Sequence, residues 1–392
     1  MGILGGDRIK KYMGEWICHV TGVPVSKIDT LIPGVALTAG ILIFSMAISS
    51  FMKIELVGGV KLIIPSIVMA LLIGVLIGNV VKIPDLVNPG VLFSSGTLLR
   101  VGIVCLGVKL TIVDIFKIGW ISFPIIISCT IFSIGAVHLW NVKRNGNSKL
   151  GVLIAVGTAI CGISAIIATS TAIEATEEET SYAVAIITIF GLIAMITYPF
   201  IGHFIFNVDA VKIGLWLGTS IHDTSQVIGA SMMYSQIWGE PVVLETAILA
   251  KAIRNALMVI IIPLMMIMHT KKENGNIESS QNAVKKNRWR YVQYFPKFII
   301  GFLILSLFRT TGDLSIEAGK NAYWIIDQIG WENLVNGIGS VTNVVFVMAL
   351  AGVGLKTRVE KLRGLGIQPL LIGFSVALLT GLVSFLVISW TI

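Results

Sequence analysis

The sequence predicts an all-α polytopic membrane protein of about eleven transmembrane helices. Three observations carry this: a shortage of charge, a series of apolar runs of membrane-crossing length, and basic residues confined to alternate loops. Of 392 residues, 55% are hydrophobic and only 13% charged, with a mean hydropathy of +0.89. Soluble domains carry about 25% charged residues, so lipid is the expected solvent. No polar stretch is long enough to form a soluble domain. The expected organisation is a basic amphipathic segment at 1–32 and a transmembrane domain at 33–392, with one cytoplasmic connector at 270–292.

A helix crossing about 30 Å of hydrocarbon needs about 20 apolar residues. The first run, 33–52, is uninterrupted, and the second, 61–81, follows a short charged loop. The third, 93–110, carries Arg100. Runs at 116–140, 150–173, 181–205 and 211–235 follow, the fifth and seventh each holding a polar patch. The eighth, 243–268, holds Lys251 and Arg254, and the ninth is read at 293–309. The tenth, 335–355, opens on polar residues, and the eleventh, 367–391, carries no charge.

Orientation follows from the basic loops. Arg8, Lys10, Lys11 and Lys27 precede the first run, and Lys143, Arg144 and Lys149 separate the fourth and fifth. Lys271, Lys272, Lys285, Lys286, Arg288 and Arg290 separate the eighth and ninth, and Lys356, Arg358, Lys361 and Arg363 separate the tenth and eleventh. Eleven crossings put all four groups on one side and the acidic loop Glu174–Glu179 on the other. This predicts a cytoplasmic N-terminus and an outside C-terminus. The net charge of +8 is thus a topology signal, and no nucleic-acid partner is expected. Cys18, Cys105, Cys129 and Cys161 are dispersed, which predicts neither a disulfide framework nor a metal site. The first sixteen residues lack the apolar core and cleavage site of a signal peptide.

Two internal echoes suggest repeats. Leu106-Gly-Val-Lys-Leu110 and Val353-Gly-Leu-Lys-Thr357 each close a run, 247 residues apart, and each has a glycine ten residues past its lysine, at Gly119 and Gly366. Seven runs separate them, so the copies face opposite sides, as inverted repeats of secondary transporters do. The second echo pairs Gly157-Thr-Ala-Ile-Cys-Gly-Ile-Ser164 with Gly218-Thr-Ser-Ile-His-Asp-Thr-Ser225, 61 residues later.

These two patches are where chemistry is expected. Small and hydroxylated residues weaken a helix inside a span, and freed backbone groups in lipid are tolerated only against protein or a water-filled cavity. Half-helix N-termini then offer open N–H groups to anions. The expected substrate-binding residues are Thr158, Cys161, Gly162 and Ser164 in the first patch, and Thr219, Ser220, Ser225 and Gln226 in the second, with Arg254 supplying charge. His222 and Asp223 are the expected proton or coupling-ion carriers, because ionisable groups at this depth usually line a pathway and imidazole changes charge near neutral pH. Lys251 stands three residues before Arg254, on the same helical face. Arg100 and Lys251 are further interior cations. The competing structural reading is close helix packing through small residues, with the polar groups forming a satisfied network and the cations snorkelling.

No phosphate-binding GxxxxGK[ST] loop, HExxH zinc signature or GxSxG elbow occurs, so no cofactor, metal or enzymatic activity is expected. The expected partners are a small anion, the lipid bilayer, and H⁺ or Na⁺. A secondary transporter and a channel or ligand-sensing membrane protein without alternating access both accommodate the pattern. Saturable exchange distinguishes the first.

Several segments carry a family resemblance: Gly96-Thr-Leu-Leu-Arg-Val-Gly-Ile-Val-Cys-Leu-Gly107, Gly157 to Ala165, Phe190-Gly-Leu-Ile-Ala-Met195 with Tyr198-Pro199, Gly218 to Ala230, Lys251-Ala-Ile-Arg254 and Ala349 to Leu355. In their order and spacing the chain resembles the YeiH-like sulfate exporter family of bacterial membrane proteins. The resemblance implies a carrier in the bacterial inner (plasma) membrane. It implies a fold like that of cation/proton antiporters and bile-acid symporters, with inverted repeats and crossed broken helices, in a homodimer. It also implies export of sulfate or a sulfonate-type oxyanion, coupled to protons or Na⁺ by alternating access.

Overall fold

The computed structural model describes residues 29–51, 53–56, 60–63, 65–143, 149–265, 295–358, 360 and 367–392. The expected basic segment up to residue 28 and the connector at 270–292 lie outside the described residues.

In chain order the helices begin with α1 (Ile32–Phe51). A hairpin of β1 (Lys53–Leu56) and β2 (Val60–Ile63) follows, then α2 (Ser66–Val80). Next come α3 (Asn88–Phe93), a π-helical turn (Ser94–Leu98), α4 (Leu99–Leu106) and a 3₁₀ turn (Gly107–Lys109). The middle of the chain holds α5 (Ile112–Lys143), α6 (Lys149–Ala159), α7 (Ile163–Ala172), α8 (Glu177–Ile205), α9 (Ala210–Ser220) and α10 (Thr224–Trp238). The last are α11 (Pro241–Ala256), α12 (Met258–Met265), α13 (Phe298–Glu317), α14 (Gln328–Lys356) and α15 (Ile367–Thr391). Among the described residues, seven helices are long and apolar enough to cross a membrane, or eight if α11 and α12, bent by 41°, are one span. The shorter apolar helices are α2, α6 and α7.

The chain divides into two compact units. The first comprises residues 1–106 and 329–358. In lipid, close backbone approach substitutes for the hydrophobic effect, which favours glycine at helix contacts. Gly34 on α1 meets Gly90 on α3 so closely that a Cβ at Gly34 would lie 2.6 Å from the Gly90 Cα. A Cβ at Gly74 on α2 would lie 2.5 Å from the Ala351 carbonyl oxygen on α14. Thr38 and Ser94 share a buried hydrogen bond of 3.0 Å between α1 and the π turn.

The second unit comprises residues 107–328 and 359–392. Here buried polar pairs tie the helices: Ser133 to Thr380 at 2.9 Å joins α5 to α15, and Thr219 to Ser384 at 2.6 Å joins α9 to α15. Trp216 on α9 donates its indole N–H to the Gly381 carbonyl at 2.8 Å and stacks on Tyr198 of α8 at 4.6 Å. Each pairing removes a donor and an acceptor that lipid cannot satisfy. α8 starts where Thr176 and Glu179 form a capping box, and three glutamates in its first turn complement the positive end of the helix dipole.

Two boundaries differ from the sequence reading. The second run does not begin as helix at 61, because 60–63 pair antiparallel with 53–56; the helix starts only after Pro65. Gly58-Gly59 between two alternating stretches is a hairpin signal that the hydropathy of the run hides. The ninth helix extends to Glu317 instead of ending at 309. The Arg309–Asp313 ion pair at 2.5 Å, one turn apart, carries it through polar sequence.

Candidate functional site

Both polar patches interrupt helices, and each interruption has a local cause. α6 stops at Ala159 and α7 resumes at Ile163, with Gly162 at φ 64° and ψ −121°, a conformation open to glycine and costly for other residues. α9 stops at Ser220 and α10 resumes at Thr224. Asp223 is extended there, at φ −95° and ψ 145°, and N-caps α10 in a capping box with Gln226. The two breaks are in contact: a Cβ at Gly162 would sit 3.2 Å from Asp223 Cα, Cβ and Oδ1.

Four helix ends therefore meet inside the second unit, and each carries backbone groups with no helical partner. The carbonyl ends of α6 and α9 are served by α11. Lys251 Nζ donates to the carbonyls of Ile160 at 3.1 Å, Ile221 at 3.0 Å, and His222. Three acceptors around one amine call for three protons, which only the ammonium form has. Arg254 donates from Nε to Ile160 O at 2.5 Å and from one terminal nitrogen to Thr219 O at 2.5 Å. Its other terminal nitrogen reaches Thr158 O and His222 O, both at 3.2 Å. Both cations are 1% exposed. They stand where two helix dipoles end negative, which stabilises positive charge.

The N–H ends are treated unequally. At α10, Asp223 accepts from the Ser225 N–H at 3.0 Å and from the Ser225 hydroxyl. Gln226 accepts the Asp223 N–H at 3.3 Å and donates to Thr188 O at 3.0 Å. At α7 no side chain accepts a hydrogen bond as N-cap, and Ser164 in its first turn is exposed. The Ala165 N–H turns to the Cys161 thiol and Asp223 Oδ1 lies against Gly162, so the positive end of α7 is only partly served.

The remaining expected residues divide by what they bond. Thr158 bonds back to Ile154 and Ala155 carbonyls at 2.9 Å, and Ser220 bonds back to Trp216. Thr219 bonds back to Leu215 at 2.6 Å as well as to Ser384. These three hydroxyls are buried and engaged within their own helices. The Cys161 thiol lies 3.3 Å from the Met258 sulfur on α12. His222 is 1% exposed, and its Nδ1 has no hydrogen-bond partner among the described residues. Arg100 stands on α4 in the first unit.

Sequence reasoning missed Asn255. Its amide donates to the Thr224 hydroxyl at 3.1 Å, while its buried Oδ1 is unpartnered among the described residues. A polar residue directly after Arg254 in an apolar run was the available signal. The carbonyl partners of Lys251 and Arg254 had none, because they arise only when two distant breaks are brought together.

The fold and site define an integral membrane protein with two interrupted helices joined at a buried, cation-clamped junction. The chain belongs to the family described as conserved hypothetical protein 698, which matches residues 33–373. Relatives carrying the name UPF0324 membrane protein include one from Clostridium tetani, 29% identical over 361 residues, covering 90% of this chain and 95% of the relative. Another, from Nitratidesulfovibrio vulgaris, is 27% identical over 349 residues, covering 88% and 89%. A third, from Fusobacterium nucleatum, is 30% identical over 308 residues, covering 78% and 85%. No solved structure matches the chain.

Proposed function

We propose that this chain is a secondary transporter that carries a small oxyanion, sulfate or a sulfonate, through the junction of its two interrupted helices. The observation that carries the reading is the charge balance there. Lys251 and Arg254 contribute two positive charges and Asp223 one negative. Two carbonyl ends and two N–H ends, each worth about half a charge, cancel. The junction is left with about one net positive charge, and the partly served N–H end of α7 beside exposed Ser164 is a place for an anion to sit. Lys251 and Arg254 attract the anion through their field while their protons hold backbone carbonyls. Asp223 and His222 serve as the coupling groups, because Asp223 is partly accessible and His222 keeps an unused ring nitrogen.

In this reading α2 and each interrupted pair also cross the membrane, which with the eight apolar spans makes eleven crossings. The N-terminus is then cytoplasmic and the C-terminus outside, in an antiporter- and symporter-like fold with inverted repeats, acting as a homodimer in the bacterial inner membrane. The test is a thermal-shift screen of the purified full chain against sodium salts of sulfate, methanesulfonate and chloride. A ligand binding the native state raises stability as RT ln(1 + [L]/Kd). Sulfate or methanesulfonate should raise the melting temperature with saturation. Equal responses to all three salts would sink the oxyanion assignment.

A further inference from the structure

We propose that the face of α4 and the π turn bearing Gly96, Thr97 and Arg100 is a second anion-binding site, which takes a free oxyanion. This site lies wholly in the first unit and goes beyond the junction described above. Its starting point is a cation without a counter-charge. Arg100 is exposed and makes no hydrogen bond or ion pair among the described residues. No acidic residue occurs between Asp85 and Asp114, none in α1 or α2, and none in α14 after Glu332. Those stretches offer Arg100 no carboxylate.

Arg100 also lies deep. In the span Asn88–Lys109 it follows Asn88 by twelve residues and precedes Lys109 by nine, about 18 Å and about 14 Å of helix. An arginine facing hydrocarbon at that depth is costly, and such residues face a water-filled path or a ligand. Packing does not account for its position. The opposite face, with Ser94, Leu99, Gly102, Ile103 and Leu106, is buried. There Ser94 bonds Thr38, and Gly102 packs on Phe346, to which a Cβ would come within 2.5 Å.

The backbone beside Arg100 is unusual too. Ser94–Leu98 is π-helical, a local widening that recurs at functional sites. A Cβ at Gly96 would meet nothing within 4 Å, so a ligand can approach the chain there. A guanidinium with five N–H donors above an open stretch of helix suits an oxyanion, which accepts hydrogen bonds from several sides. A lipid headgroup offers similar chemistry, but it resides at the interface, and the residue count places Arg100 near the middle of its span.

The test uses the full chain in phosphatidylcholine nanodiscs, with Gly96→Cys as reporter, since the open space tolerates a side chain. Labelling by an anionic methanethiosulfonate is compared with labelling by a cationic one, over the unsubstituted chain as background. The expected result is faster anionic labelling that sodium sulfate slows saturably, and an anion-to-cation ratio that falls about tenfold when Arg100→Gln is added. Thr97→Cys repeats the measurement if Gly96→Cys does not fold. Absence of labelling by either reagent, a ratio indifferent to Arg100→Gln, or no protection by sulfate would each overturn the proposal. Protection by added phosphatidylglycerol in place of sulfate would reassign the face to a headgroup. None of these readouts depends on transport or on the junction residues, so failure here leaves the junction reading standing.

Discussion

Replacing Arg254 with methionine removes a guanidinium of 1% exposure that four backbone carbonyls share: Thr158, Ile160, Thr219 and His222. A hydrogen bond to a charged group contributes about 1.5–3 kcal/mol, and a buried acceptor left unpaired costs about 1–3 kcal/mol. Lys251 keeps Ile160 and His222 partly satisfied, so the full loss falls on Thr158 and Thr219. Removing a buried charge also spares its desolvation. The expected net destabilisation is therefore about 3–5 kcal/mol, well above the typical cost of a point substitution. Arg254→Lys should fall between, because an ammonium has three protons and no planar fork with which to span both breaks. Chemical denaturation of purified protein in mild detergent, followed by Trp fluorescence, measures this, with Lys82→Met at an exposed position after α2 as the control expected to change little. If Arg254→Met unfolds at the wild-type midpoint, the guanidinium does not hold the junction. If it does so and sulfate no longer stabilises the protein, Arg254 is a ligand group instead.

Further substitutions separate the other contributions. Gly162→Ala forces a side chain into positive φ and places its Cβ 3.2 Å from Asp223, so it should cost about 1–3 kcal/mol and depress sulfate binding. Asp223→Asn keeps a good N-cap, so the capping contribution should change by less than about 0.5 kcal/mol, while coupled transport of sulfate is lost; Asp223→Ala should in addition cost about 1 kcal/mol. Gly191→Ala drives a Cβ into the Gln226 amide and should displace it from Thr188 and the Asp223 N–H, visible as faster amide exchange at the start of α10. Gly74→Ala should separate α2 from α14, at about 1–3 kcal/mol, with no effect on sulfate affinity.

The interruptions were legible because Gly157–Ser164 and Gly218–Gln226 place glycines, hydroxyls and two ionisable groups where apolar sequence should run on. Gly162 and Asp223, the residues that touch, both lie inside those patches. What joins them was not legible. Lys251 and Arg254 looked like ligands for a substrate because side-chain chemistry is visible in sequence, whereas the demand of unpaired carbonyls appears only once α6 and α9 end side by side. The hairpin at 53–63 was hidden for a different reason: its apolar residues read equally well as the start of a span. In the first unit, glycines such as Gly34, Gly74, Gly90 and Gly354 carry helix contacts that one sequence cannot assign to partners.

Counterflow in proteoliposomes reads directly whether the junction carries an anion across the membrane. Vesicles loaded with unlabelled sulfate and diluted into radiolabelled sulfate should accumulate label transiently and saturably when they contain the wild-type chain. The His222→Ala, Asp223→Asn double variant, folded by the same fluorescence criterion, should not. Equal accumulation by both proteins would contradict the account.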